Sequence, residues 1–363
     1  MGYAEPVSRT LGQAFDPRRN SLNALRLVLA TLVIVSHSWP IGGYGHDPGV
    51  GDLSLGEWAV AGFFAISGYL ITMSRVRSSG LGDYLWRRVL RIYPAFLVVL
   101  LVVAFVFAPL SVAISGSGEW TPLAGLDYVW HNLGMRITQM GIDGTLESAA
   151  YPVAWNGSLW TLWYEFLCYL VLGVLVSFVP VRWLGVTAVA MTALCAVGVV
   201  AIVAAGTPSL ALLNAVTLGG YFAAGVILYS YRDRVPLSAL LAALSAVLIV
   251  VTAATSTFRI VAGLPVAYLM MWLGVVLPLS PVGAKNDISY GMYVYAFPVQ
   301  QLLAILLVGA ALPAGVFVLI AIAATVPFAY ASWVLVEKPA MRLKSFRLRW
   351  PRRREAARPP EAI

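Results

Sequence analysis

LNALRLVLATLVIVSHSW, Leu22 to Trp39, is an apolar run interrupted by one arginine and one histidine. About 20 such residues cross a bilayer as a helix, so the run reads as a membrane span. A charged or titratable side chain is costly in hydrocarbon and usually faces a bundle interior, where it marks a functional site. Arg26 and His37 lie eleven residues apart. At roughly 100° per residue they return to about the same face, three turns on and about 16 Å along the axis. The span therefore carries a cation near one membrane surface and an imidazole about halfway across or beyond.

Working outward, the other 345 or so residues have the same character. The chain has 363 residues, 60% hydrophobic and only 11% charged, with a mean hydropathy of +0.83. Soluble domains carry about 25% charged residues. The fold class expected is an all-α, polytopic membrane bundle. Ten spans are predicted: 22–41, 56–74, 93–110, 159–179, 184–205, 211–230, 237–255, 261–280, 288–308 and 313–336. The first lacks an Ala-x-Ala-like cleavage site and leads into further spans, so it is not a cleaved secretory signal. Cys168 and Cys195 fall in apolar runs and imply neither a disulfide framework nor a metal cluster.

The net charge of +8 is not a nucleic-acid signature once its positions are read. With a cytoplasmic N-terminus, all but three of the 24 Lys and Arg fall in inside segments. The exceptions are Arg136 and Arg259 outside and Arg26 in the membrane. Such a bias fixes orientation by the positive-inside rule, and the even span number puts both termini inside. The domain reading is a cytoplasmic segment 1–21, a membrane domain 22–340 with an external loop 111–158, and a basic cytoplasmic tail 341–363. The tail interleaves Phe346 and Trp350 with basic residues, as expected of a stop signal resting on anionic lipid. The expected location is the plasma or inner membrane. In the loop, Trp120, Tyr128, Trp130, Tyr151 and Trp155 either stack on sugar rings or sit at the membrane interface.

Five constellations carry candidate chemistry. Arg26 with His37 is the first: an imidazole titrates near physiological pH and can take a proton from a hydroxyl nucleophile. In the second, Trp86 to Pro94, Arg88 and Arg91 stand three apart, so on a helix they point one way; arginine forks bind phosphate bidentately. The third, Asn156 to Glu165, places Glu165 inside the fourth span, where His37 or Arg26 is its expected partner. In the fourth, Gly62 to Tyr69, the Ala61 and Ala65 pair permits close helix approach, and Ser67 reads as packing because no adjacent base supports a nucleophile. The fifth puts Ser289, Tyr290, Tyr293, Gln300 and Gln301 on the ninth span, lining a cavity.

Together these segments resemble the acyltransferase-3 family of integral membrane acyltransferases. The resemblance rests on Leu22 to Arg26 running to His37, Gly62 to Leu70, Arg88 to Pro94, Ser158 to Glu165, Ser289 to Gln301, and the closing Glu337-Lys338-Pro339, in family order. It implies O-acylation of a sugar, glycan or lipid-linked acceptor with acyl-CoA, chiefly acetyl-CoA, as cytoplasmic donor and no permanently bound cofactor or metal. It also implies that Arg26 and His37 are essential, that Arg88 and Arg91 hold the CoA phosphates, and that Glu165 is the acid of the site. Many members carry Asp where this chain has Asn23, and many carry a hydrolase-like domain after the last span, where this sequence has its basic tail. The competing reading is a multi-pass transporter or flippase of a glycan or acidic substrate, moved past the same buried charges. Against it, the two halves show no repeat, and the membrane charges concentrate in the first and fourth spans.

Overall fold

A computed structural model describes residues 9–206 and 209–345. Most of the basic tail, with Phe346 and Trp350, lies outside the described residues. Ten long helices occur at the ten predicted positions: α1 Leu22–Ile41, α2 Leu55–Val76, α3 Leu81–Ser115, α4 Trp160–Phe178, α5 Leu184–Ala204, α6 Leu210–Tyr231, α7 Ala239–Ala254, α8 Gly263–Val276, α9 Ser289–Leu306 and α10 Ala314–Arg342. Seven are long and apolar enough to cross a membrane; α7 and α8 are apolar but shorter. The remaining one, α9, is the central helix, with Gly291 through Gln301 all buried by protein. A helix shielded from lipid in this way can carry Tyr and Gln by bonding to its neighbours, as Gln300 Nε2 does to the Ile34 carbonyl and Gln301 Nε2 to that of Ala154. The lipid-facing extreme is α5, where Leu194 and Val197 are 71% and 64% exposed.

Two helices run past their predicted ends, because an apolar window misses polar turns. The third begins at Leu81 rather than at residue 93, so Arg87, Arg88 and Arg91 stand on the membrane helix itself instead of in a connector. The tenth continues through Glu337 to Arg342, with a π-helical turn at Trp333–Glu337 just before Pro339. Proline removes a backbone donor and crowds the carbonyl four residues earlier, and a wider turn relieves that conflict.

The close helix approach expected on the second span is present. A Cβ on Gly68 would stand 2.0 Å from the Phe222 carbonyl oxygen, and one on Gly225 would stand 2.2 Å from that of Ala65. The α2–α6 crossing is thus backbone against backbone, the geometry that small residues allow.

At one end of the bundle, the segment before α1 ties several ends together. Leu11 N donates to the Val235 carbonyl at 2.8 Å, and Ser21 Oγ to the Leu277 carbonyl at 2.6 Å. The opposite end holds the hairpin Gly49–Val50/Leu53–Ser54 and the long loop after α3. That loop contains the helix Pro122–Asn132. Its aromatic residues divide: Tyr128 and Trp155 are core, with Trp155 Nε1 bonded to Thr145 Oγ1 at 2.7 Å, whereas Trp130 is exposed.

Candidate active site

Two of the cavities in the bundle are lined by charged residues. The inner one, about 290 Å³, is lined by Arg26, Ser67, Arg88, Arg91, Glu165 and Asp287, among others. It takes in Arg26, Arg88 and Arg91 and, of the ninth-span residues singled out, Ser289, Tyr290 and Tyr293; Gln300 and Gln301 line neither cavity and instead donate to the Ile34 and Ala154 carbonyls. The outer one, about 120 Å³, is lined by His37 and by residues at the α2, α4 and α6 starts. The cavities share Val60, Thr161 and Tyr293 as lining. Within that partition the Tyr293 hydroxyl meets Thr161 Oγ1 at 2.5 Å and donates to the Ser158 carbonyl at 2.8 Å.

The floor of the inner cavity is a chain of ion pairs centred on Asp287, just before α9. Arg26 Nη2 donates to Asp287 Oδ2 at 2.8 Å and to Asn23 Oδ1 at 2.7 Å. Arg91 donates through Nη2 to Asp287 Oδ2 at 2.7 Å and through Nη1 to Glu337 Oε2 at 3.2 Å. One acid therefore clamps α1, α3 and α9, and a second joins α10. Burial would raise the Asp287 pKa, but Arg26 and Arg91, with the Ser289 hydroxyl, hold it down to about 2. Asn23 serves here as a neutral acceptor for Arg26, and Asp287 supplies the charge.

Arg88 differs from Arg91. Among the described residues no carboxylate pairs with Arg88 or Lys344, both of which line the inner cavity, and Arg88 Nε is buried without a hydrogen-bond partner. Lys344 is held over the cavity beside Trp86, whose Nε1 donates to the Leu343 carbonyl at 3.2 Å. Burial, and then repulsion from Arg88, Arg91 and Arg87, lower the Lys344 pKa. Glu165, on the same wall, offsets part of the Arg88 charge; cations in excess of the carboxylates paired with them make an anion site by their electrostatics.

Glu165 lies in this inner cavity and pairs with neither His37 nor Arg26, the partners expected from sequence. Ser67 Oγ donates to Glu165 Oε1 at 2.8 Å and Tyr169 Oη at 2.5 Å. Tyr169 is four residues on, hence on the same helix face, and Ser67 projects from α2. Ser67 is thus a partner of the site's acid as well as a packing residue. In the outer cavity, His37 Nδ1 stands 3.5 Å from Asp47 Oδ1, and Ser36 Oγ donates to the same oxygen at 2.9 Å. Phe297 meets the imidazole edge-on at 5.1 Å between centroids. Burial works against the Asp47 carboxylate, yet His37 and the Ser36 hydroxyl bring its pKa below the usual value. With Nδ1 turned to Asp47, Nε2 is the nitrogen left for a substrate.

Sequence reasoning did not single out Asp47, Asp287 or Lys344. Asp287 had a usable signal, since an acid two residues before a helix start accepts from its first N–H groups; Ser289 N donates to it at 3.3 Å. Asp47 sits in a glycine-rich loop and had none. Among the described residues no group of three His, Cys, Asp or Glu is placed to hold a metal ion.

Comparison with known proteins bears on what such a pair of cavities does. The chain is 29% identical over 328 residues to a protein named O-acetyl transferase from Shigella phage Sf6, covering 88% of this chain and 96% of that one. It is also 29% identical over 375 residues to Nodulation protein 10 from Rhizobium leguminosarum bv. viciae, covering 90% and 94%. No solved structure matches. A family described as an acyltransferase domain matches residues 19–335, which takes in α1 to α9, most of α10 and all the lining of both cavities except Met341 and Lys344. This multi-pass membrane protein belongs to the acyltransferase-3 family and is an acyltransferase.

Proposed function

We propose that the protein moves an acyl group, chiefly acetyl, from acyl-CoA at the cytoplasmic face of the plasma membrane to a hydroxyl of a sugar or glycan acceptor outside. One observation carries this reading: a cavity with unpaired cations and a cavity with a carboxylate-backed histidine share a wall of three residues. Phosphates and pyrophosphate of the donor would lie against Arg88 and Lys344, and Arg26 would offer its buried, unpartnered Nε–H to a donor oxygen. Arg91, assigned to phosphate on sequence grounds, is already engaged by two carboxylates and acts instead to hold the floor together. Displacement of Tyr293 from Thr161 would join the cavities and admit the thioester.

The chemistry then needs one base and one leaving group. His37 Nε2 takes the acceptor hydroxyl proton as the oxygen attacks the thioester carbonyl. The tetrahedral intermediate collapses, the C–S bond breaks, and the CoA thiolate recovers the proton from the imidazolium. Asp47 holds the imidazole in register and stabilises its charged form. Glu165, held by two hydroxyls, orients the inner end of the thioester arm through Ser67 and Tyr169. A trapped acyl-histidine would replace direct transfer by a two-step relay through the same nitrogen.

The test is thermal stabilisation of the detergent-purified protein by acetyl-CoA. A rise of several degrees in wild type, lost in Arg88→Ala/Lys344→Ala, is expected. No rise in protein shown to be folded would overturn the donor assignment.

A further inference from the structure

The outer cavity measures about 120 Å³. Two hydroxyls on its wall lack any hydrogen-bond partner. Ser158 and Thr217 are only 2% and 4% exposed, yet neither side-chain oxygen is bonded. Burying an unbonded hydroxyl is unfavourable, and the membrane offers no water to relieve it. Thr217 is the telling case. Thr31, Thr72, Thr192, Thr252 and Thr325, also on helices, each return the hydroxyl to the carbonyl one turn back. Thr217 does not, so its hydroxyl stays free to meet something that enters the cavity.

The charges on the same wall say what kind of group enters. Arg259 is the one Lys or Arg among the lining residues. Its Nη2 donates to Glu57 Oε1 at 2.6 Å, and Asp52 Oδ2 stands 3.9 Å from its Nε. Glu57 is itself fixed at the start of α2, where its Oε2 accepts from Ser54 N at 2.9 Å. His37 has Asp47 beside it. An anion entering here would meet an arginine already engaged and three carboxylates at or near the wall.

We infer that the outer cavity is the acceptor subsite and takes an uncharged, hydroxyl-bearing group such as the edge of a neutral sugar ring. Ser158 and Thr217 hydrogen-bond the hydroxyls beside the one that His37 deprotonates, and Trp160 supplies an aromatic wall. This inference rests on the acyltransferase reading above and adds the class of acceptor to it.

Thr217→Val tests it, because valine keeps the shape and removes only the hydroxyl. The full-length protein in membranes of its producing cells is given radiolabelled acetyl-CoA, and label reaching the native acceptor is followed. Transfer at limiting acceptor should fall roughly 3- to 10-fold, the worth of one neutral hydrogen bond, with the Michaelis constant for acetyl-CoA unchanged and Thr217→Ser close to wild type. The purified, ligand-free Thr217→Val protein should at the same time melt higher than wild type, having lost an unpaired buried hydroxyl. Higher stability with undiminished transfer would overturn the subsite. In the same membranes, millimolar methyl β-D-glucopyranoside should compete for transfer and methyl β-D-glucopyranosiduronate should not. Equal or stronger competition by the uronate would overturn the uncharged class. Stabilisation of wild type by acetyl-CoA separates these failures from failure of the acyltransferase reading, since only the latter abolishes it.

Discussion

The two cavities sit back to back and treat charge in opposite ways. In the inner one Arg88 and Lys344 form no ion pair among the described residues, since Asp287 and Glu337 are spent on Arg26 and Arg91 and Glu165 is bonded to the Ser67 and Tyr169 hydroxyls. In the outer one, Arg259 has Glu57 and His37 has Asp47. A buried charge without a partner is expensive, so surplus cations on one side point to an anion that arrives as ligand. Matched charges on the other side, with two hydroxyls unpaired, point to a neutral ligand read by hydrogen bonds. Structural and ligand-directed charges can thus be told apart by whether the fold has already satisfied them.

The comparison breaks most visibly at His37. His37→Ala should lower acyl transfer at least 100-fold, the range for loss of a general base, while acetyl-CoA still raises the melting temperature. A variant that loses both, though folded, would mean that donor and base share one site. A well-expressed variant with wild-type transfer would remove the base altogether.

Arg88 and Arg91, one helical turn apart, sharpen the contrast within the inner cavity. Arg91→Ala leaves Glu337, which is 1% exposed, and part of Asp287 without their cation. Removing one partner of a buried pair costs about 3–5 kcal/mol, to be read as a fall in thermal stability. Arg88→Ala breaks no ion pair, so stability should hold while the apparent Michaelis constant for acetyl-CoA rises about tenfold. If the two variants exchange phenotypes, the division into clamp and ligand cation is wrong.

Much of this was legible before any coordinates. Ten apolar runs located ten helices, and the Ala61 and Ala65 pair marked the second span for a close approach without naming α6 as its partner, because spans and close approaches follow from local composition. The residues Arg26, His37, Arg88, Arg91 and Glu165 all line one or other cavity. Their pairing was not legible. Glu165 was expected to meet His37 or Arg26 and instead accepts two hydroxyl bonds, one from a residue 98 positions earlier in the chain. Arg26 and Asp287 are 261 residues apart in sequence. Which acid meets which base depends on helix rotation and depth, and hydropathy is blind to both. Asp47 was hidden for a different reason: nothing in its loop carries a period that would aim a side chain.

The Asp287 clamp also predicts a pH dependence. Its folded pKa, about 2, lies below the unfolded value near 3.9. The stabilisation is therefore complete above about pH 4 and lost as pH falls from there through 2, a contribution on the order of 2 kcal/mol. Between pH 7 and 5 the melting temperature should show no loss from this group. Below pH 4 wild type should fall towards Asp287→Asn, whose own melting temperature is lower at neutral pH and flatter in acid. Parallel curves for the two proteins down to pH 2 would mean that Asp287 does not carry the floor.

Asp47→Asn should have the smallest effect and the most specific one. The asparagine retains an oxygen near His37 Nδ1 and for the Ser36 hydroxyl, so the loop should keep its place. What disappears is the negative charge beside an imidazole that becomes cationic in mid-reaction. A carboxylate lending charge to a histidine in this way acts on turnover and leaves donor binding alone. About a tenfold fall in kcat is expected, with the Michaelis constant for acetyl-CoA unchanged and partial recovery in Asp47→Glu. Because the Asp47 pKa is lowered, its benefit is present through neutral pH and disappears only as pH falls below the ordinary carboxylate range. The wild-type advantage over Asp47→Asn should accordingly stay constant from pH 8 to 5 and shrink below pH 4. A raised Michaelis constant with normal kcat would instead show that Asp47 belongs to the donor side, and the contrast between the two cavities would fail where it is finest.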